Sequence, residues 1–114
     1  MIFNYKNEKN GSINVFTLSG ELIDKNQASA MMNEIQELIV RNENRFILDL
    51  SELKYINSSG LSLLINILTK ARKSGGDVSV TNVTKKVNEL LVITKLNSVF
   101  NVTDSMEKAI EKLS

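Results

Sequence analysis

Apolar positions along the chain switch between a period of two and a period near 3.6, and the switches mark the elements. "IFNYKNEKNGSINVFTLSG" predicts two strands joined by a polar turn, with Asn10-Gly11 as a two-residue hairpin signal. The second strand, about Ser12 to Ser19, is apolar on both faces through Ile13, Val15, Phe16 and Leu18, as a covered central strand is, and Gly20 ends it. From Asp24 the spacing becomes helical: Ala28, Met31, Met32, Ile35, Leu38 and Ile39 share one face, with Asp24 or Asn26 as the cap. A polar "RNENR" turn leads to "FILDL", an apolar run of strand length.

A second helical stripe follows in Leu61, Leu64, Ile65 and Leu68, widened by Leu63, Ile67 and Ala71. Asn57, Ser58 or Ser59 begins that helix, and "SGGD" stops it after the cations Lys70, Arg72 and Lys73. "VSVTNV" alternates as a strand with Val78 and Val80 inward, and Val83, Val87, Leu90 and Leu91 make a third stripe. A last short strand lies around Val99 to Val102. Thr103 or Asp104 caps a final helix that faces in through Met106, Ala109, Ile110 and Leu113, with Glu107 placed for a capping box. The order is ββαβαβαβα. Strands alternating with helices of crossover length imply one α/β domain over residues 1–114, with a mixed, mainly parallel sheet and four helices.

Composition narrows the function by what it omits. With neither cysteine nor histidine, the chain has no disulfide, no thiolate nucleophile, no zinc site of Cys/His type and no imidazole base. Its thirteen carboxylates form no cluster that resembles a metal or glycosidase site, so neither an enzyme nor a cofactor is expected. A formal charge of +1 argues against nucleic acid as a partner. The apolar runs are too short to span a membrane, and "MIFNYKNEKNG" lacks the apolar core of a signal peptide, so a cytoplasmic protein is expected.

Partners and ligands of an open α/β sheet gather where strand C-termini meet helix N-termini. Three stretches lie at that edge: the loop after "FILDL", the "GELID" loop and the "TNVTK" loop. They supply the candidate residues Asn57, Ser58, Ser59 and Gly60, then Glu21 and Asp24, then Asn82. Ser58 stands at the positive end of a helix, where a phosphate would be electrostatically welcome. The plainer reading is that the "NSS" residues only cap the helix, a contribution of about 1 kcal/mol.

"LSGELID", "FILDLSELKYINSSGLSLLI", "KSGGDVSVTNV" and "LLVITKLNSVFNV" occur in an order and spacing that resemble the STAS domains of bacterial anti-sigma-factor antagonists. In that family the first hydroxyl residue of a D-S-[ST]-G motif is phosphorylated by a serine kinase of the histidine-kinase-like ATPase type, which is also the anti-sigma factor. The resemblance implies that Ser58 is the phosphoacceptor, that Asn57, Ser59, Gly60, Asp24, Glu21 and Asn82 surround the partner interface, and that a serine phosphatase resets the switch. Asn57 stands where the motif carries an acid, and Ile23 displaces the acid of the "GELID" loop to Asp24. Two other readings remain open. One is a STAS interaction subunit that is not phosphorylated, serving as a scaffold or a lipid-transport accessory. The other is a small anion- or nucleotide-binding module, for which no Gly-rich phosphate loop is present.

Overall fold

The hairpin comes first. In the computed structural model, which describes residues 2–113, β1 (Asn4–Asn10) runs antiparallel to β2 (Ile13–Leu22). Asn10 itself pairs with Ile13, so the turn falls on Gly11-Ser12, one residue later than the sequence predicts. β2 also continues through Gly20 instead of stopping there. Gly20 has φ +84° at an irregularity in the pairing of β2, and a side chain on it would run into the backbone of Ile2. It is a glycine because two backbones meet there while the strand carries on.

β3 (Arg45–Ile56), β4 (Asp77–Thr81) and β5 (Asn101–Thr103) add in parallel, giving the order β1-β2-β3-β4-β5. Between them run a 3-10 turn (Lys25–Ala28) with α1 (Ser29–Val40), then α2 (Ser58–Lys73) and α3 (Lys85–Ile93), and α4 (Met106–Leu113) closes the chain. When strands are laid down in sequence order, crossovers of one hand must put their helices on one face. The core agrees. Phe16, Leu18, Phe46, Leu48, Val78 and Val80 pack with buried residues of α1, α2 and α3 in one cluster. On the opposite face, Ile13 and Ile47 pack with Ala109 and Leu113 of α4 in a smaller one. β2 is therefore covered on both sides, as its composition implies.

Burying a Leu or Ile side chain stabilises by roughly 1.5–3 kcal/mol, so the buried Leu61, Leu64, Ile67 and Leu68 hold α2 on the sheet far more firmly than any cap does. Three further expectations need correction. "FILDL" is only the first half of β3, whose pairing with β2 shifts register after Asp49, where the carboxylate accepts from the Ser51 N–H at 3.0 Å. β3 then pairs on to Ile56 because Leu53 and Ile56 are both buried. In β4, Ser79 and Thr81 are as buried as Val78 and Val80, so the strand is covered on both faces and its alternation is not one of inside and outside. Finally, α4 is capped by Ser105, whose hydroxyl accepts from the Lys108 N–H at 3.2 Å, and not by Thr103 or Asp104. The Thr103 hydroxyl is turned to the Val80 and Ser105 carbonyls, and the Asp104 carboxylate pairs with Lys108.

Asp77 ties three elements together. Its carboxylate accepts from the Val78 N–H at 2.8 Å, from Arg72 Nε of α2 at 3.0 Å and from Asn101 Nδ2 of β5 at 3.0 Å. Partial burial works to raise its pKa, but these donors and the Arg72 charge outweigh it and hold the carboxyl below the usual value. A carboxyl with a lower pKa folded than unfolded contributes stability that is complete above the unfolded value of about 3.9 and lost as pH falls through the folded one. Asp77→Asn should therefore lower stability at pH 7 and flatten the acid limb of the profile below about pH 4. Urea denaturation from pH 2.5 to 7 checks this, and parallel profiles for the two proteins would contradict it.

Candidate functional site at the start of α2

β2 and β3 end side by side, with Leu22 opposite Ile56, and the chain enters α2 after the single residue Asn57. Asn57 adopts an extended backbone, and its Oδ1 accepts from the Gly60 N–H at 3.0 Å, which makes it the cap. Its Nδ2 donates to the Ile23 carbonyl at 3.0 Å and its own N–H donates to the Leu22 carbonyl at 3.3 Å. One side chain thus starts the helix and holds the loop after β2 against it. Ser58 and Ser59 occupy the first turn and are exposed. Capping accounts for Asn57, and it leaves the Ser58 hydroxyl unexplained.

Gly60 lies inside. It is buried, and a Cβ placed on it would collide with the Leu22 carbonyl oxygen and lie 2.6 Å from Ile56 Cγ1. The close approach that this glycine permits is to the chain's own β2, so its place in the site is under the surface. Asp24 is the cap of the 3-10 turn: its carboxylate accepts from the Asn26 N–H, while Gln27 Oε1 accepts from the N–H groups of Ile23 and Asp24, all at 3.0 Å. Of Asp24 and Asn26, then, Asp24 caps. Glu21 is half-buried in β2 opposite Tyr55.

Ser58, Asn57, Tyr55, Lys86, Glu89 and Ile93 line an open cleft of about 330 Å³ between the start of α2 and α3. Asn82 is not among them. It has φ +55°, contacts Asp49 at 3.4 Å, and lines a separate depression of about 760 Å³ beside α4. The candidate set is therefore divided: Asn57, Ser58, Ser59 and Asp24 cluster around the α2 start, Gly60 supports them from within, and Asn82 belongs elsewhere.

The sequence does not single out Tyr55, Lys86 or Ile93. Lys86 Nζ sits 5.5 Å from the centre of the Tyr55 ring, and Ile93 is 77% exposed, an unusual position for a large aliphatic side chain. One signal was available: Lys85 and Lys86 occupy the first turn of α3, where the helix dipole disfavours cations and no acidic residue balances them. Among the described residues no group of His, Cys, Asp or Glu side chains could hold a metal ion, and no helix is long and apolar enough to cross a membrane.

The STAS domain model matches residues 4–109. The chain belongs to the STAS domain family. It is 29% identical over 77 residues to a Thermotoga maritima protein provisionally named an anti-sigma factor antagonist, covering 68% of each chain. It is 26% identical over 107 residues to the anti-sigma F factor antagonist of Paenibacillus polymyxa, covering 93% of this chain and 91% of that one. Among solved structures, the Bacillus cell fate determinant SpoIIAA in its phosphorylated form superposes with a TM-score of 0.76 over 97% of this chain and all of that one, at 18% identity. That likeness establishes the fold alone. The STAS architecture accounts for the parallel βα series and for the position of "NSSG" at the sheet edge.

The packing around Gly60 makes a prediction. Gly60→Val should destabilise the domain by roughly 1–3 kcal/mol through overpacking against Leu22 and Ile56, with the β-branched side chain adding strain in the first helical turn. Asn57→Ala should cost about 1–2 kcal/mol, since it removes the cap and the hold on Ile23 together. Denaturant melts of both variants read this directly. A Gly60→Val protein as stable as wild type would mean that α2 does not press on β2 here.

Proposed function

We propose that the chain is an anti-sigma-factor antagonist: it docks on an anti-sigma factor that is also a serine kinase, and phosphorylation of Ser58 ends that docking. The observation that carries the reading is the exposure of the Ser58 hydroxyl at the first residue of α2, in a helix whose cap is a different residue. The names of the curated relatives support the partner class. In the proposed cycle the kinase transfers the γ-phosphoryl group of ATP to Ser58 Oγ, the hydroxyl gives up its proton and ADP leaves. A serine phosphatase then hydrolyses the ester and restores the hydroxyl.

The surroundings suit a reversible interface. Ile23, Tyr55 and Ile93 are each at least 40% exposed, and they flank the α2 start through the loop and the cleft. Exposed aliphatic and aromatic side chains of this kind gain most when a partner covers them. A phosphate in their midst adds a charge of about −1.5 to −2, which the partner would have to desolvate. A penalty of about 1.4 kcal/mol already weakens binding tenfold, so no change of fold is needed to break the complex.

Substitutions at Ser58 separate this from a purely structural role. Ser58→Asp should bind the anti-sigma factor at least about tenfold more weakly, while the carboxylate at a helix N-terminus raises stability by about 0.3–1 kcal/mol. Ser58→Ala should bind as wild type does, escape phosphorylation and change stability by less than about 0.5 kcal/mol, because Asn57 is the cap. Calorimetric titration, thermal melts and phosphopeptide mapping on the same samples test the set. If kinase and ATP label Ser59 instead, Ser58 is not the acceptor; if Ser58→Asp binds like wild type, the phosphoswitch reading is wrong and an unphosphorylated interaction subunit takes its place.

A further inference from the structure

We infer that Lys86 is the positioning residue for the phosphate on Ser58: in the modified protein its ammonium leaves the Tyr55 ring and pairs with the phosphate across the cleft. The inference rests on the reading of Ser58 as the phosphoacceptor and adds the group that receives the modification. Three observations carry it. Ser58 and Lys86 line the same cleft, from α2 and α3 respectively. Among the described residues no carboxylate comes within ion-pair distance of Lys86, whose amine instead lies 5.5 Å from the Tyr55 ring centre. And Lys86 stands in the first turn of α3, where a cation opposes the helix dipole.

Each observation has the same physical consequence. A cation–π contact at an open site is weak, so the ring holds the amine without committing it. A charge-assisted hydrogen bond to a phosphate oxygen is stronger, and it is available only after modification. The unfavourable place of Lys86 on α3 becomes favourable once a phosphate stands in front of it. The titratable groups lining the cleft are Lys86 and Glu89 of α3 and Tyr55 of β3. Glu89 lies about one turn further along α3 and repels the phosphate, so it biases the dianion toward the Lys86 end. The phosphate is then fixed at the mouth of the cleft between Tyr55 and Ile93, directly in the path of a docking partner.

The experiment places phosphoserine at position 58 of the full chain by genetic incorporation, so that no kinase is involved, and follows the second ionisation of the phosphate by phosphorus NMR. That ionisation lies near pH 6 in an unconstrained phosphoserine. An ammonium beside the phosphate favours the dianion and lowers the pKa. Lys86→Gln should raise it by about half a unit relative to the otherwise identical protein. Lys86→Arg should keep it low, and Lys108→Gln, on α4, should leave it unmoved. A phosphate that titrates identically with and without the Lys86→Gln substitution overturns the inference, as does an equal shift from Lys108→Gln. The two readings fail separately: a cognate kinase that ignores Ser58 removes the proposed switch but does not alter this titration.

Discussion

The side chain of Asn57 is the tie on which the site depends. It joins the contiguous end of β3 and start of α2 to the loop after β2, by accepting from Gly60 in α2 and donating to Ile23, distant in sequence, directly after Ile56 of β3. The junction tolerates no extra atoms, since Gly60 presses against Leu22. Individually these hydrogen bonds contribute about 1 kcal/mol each, much less than the burial of Leu61, Leu64, Ile67 and Leu68. The large apolar term decides that α2 packs on the sheet. The small polar term decides at which residue α2 begins, and hence which hydroxyl faces the cleft.

That division explains what could be read from sequence. Stripes such as Leu61, Leu64 and Leu68, or Val87 and Leu91, record burial on one face, and burial is what fixes element type and order. Both the four-helix count and the mixed, mainly parallel sheet were legible for that reason. Boundaries and caps were less so. Thr103, Asp104 and Ser105 are all good capping types, and only the turn of the chain after β5 selects Ser105. "SELKYI" begins with polar residues, so the second half of β3 reads as a loop until its pairing with β2 is known. Gly20 looks like a stop because the approach of Ile2 is a tertiary fact.

The site divides along the same line. Asn57 and Ser58 are neighbours in the chain, and a helix start explains both. Lys86 and Tyr55 join them only because α3 packs beside the end of β3, 31 positions apart in sequence. Asn82 shows the converse: the loop after β4 sits at the same edge of the sheet, but Asn82 lines the depression on the α4 side. Sharing an edge of a parallel sheet is a weaker constraint than sharing a cleft.

Asn57 is also one of the two positions where this chain departs from the motifs of the family it resembles. An ionised aspartate could cap α2 as asparagine does, but it can only accept hydrogen bonds. The Ile23 carbonyl would then lose the donor that now reaches it at 3.0 Å, and the loop after β2 would lose its fastening to α2. An aspartate would also stand directly beside Ser58 and repel a phosphate there. Asparagine keeps the cap, supplies the donor and leaves the site without that charge. Ile23 is held in the same arrangement through its backbone, its carbonyl by Asn57 and its N–H by Gln27, and its side chain is left 42% exposed. The two departures from the motif thus meet at one junction, which the Asn57 amide and the backbone of Ile23 hold together.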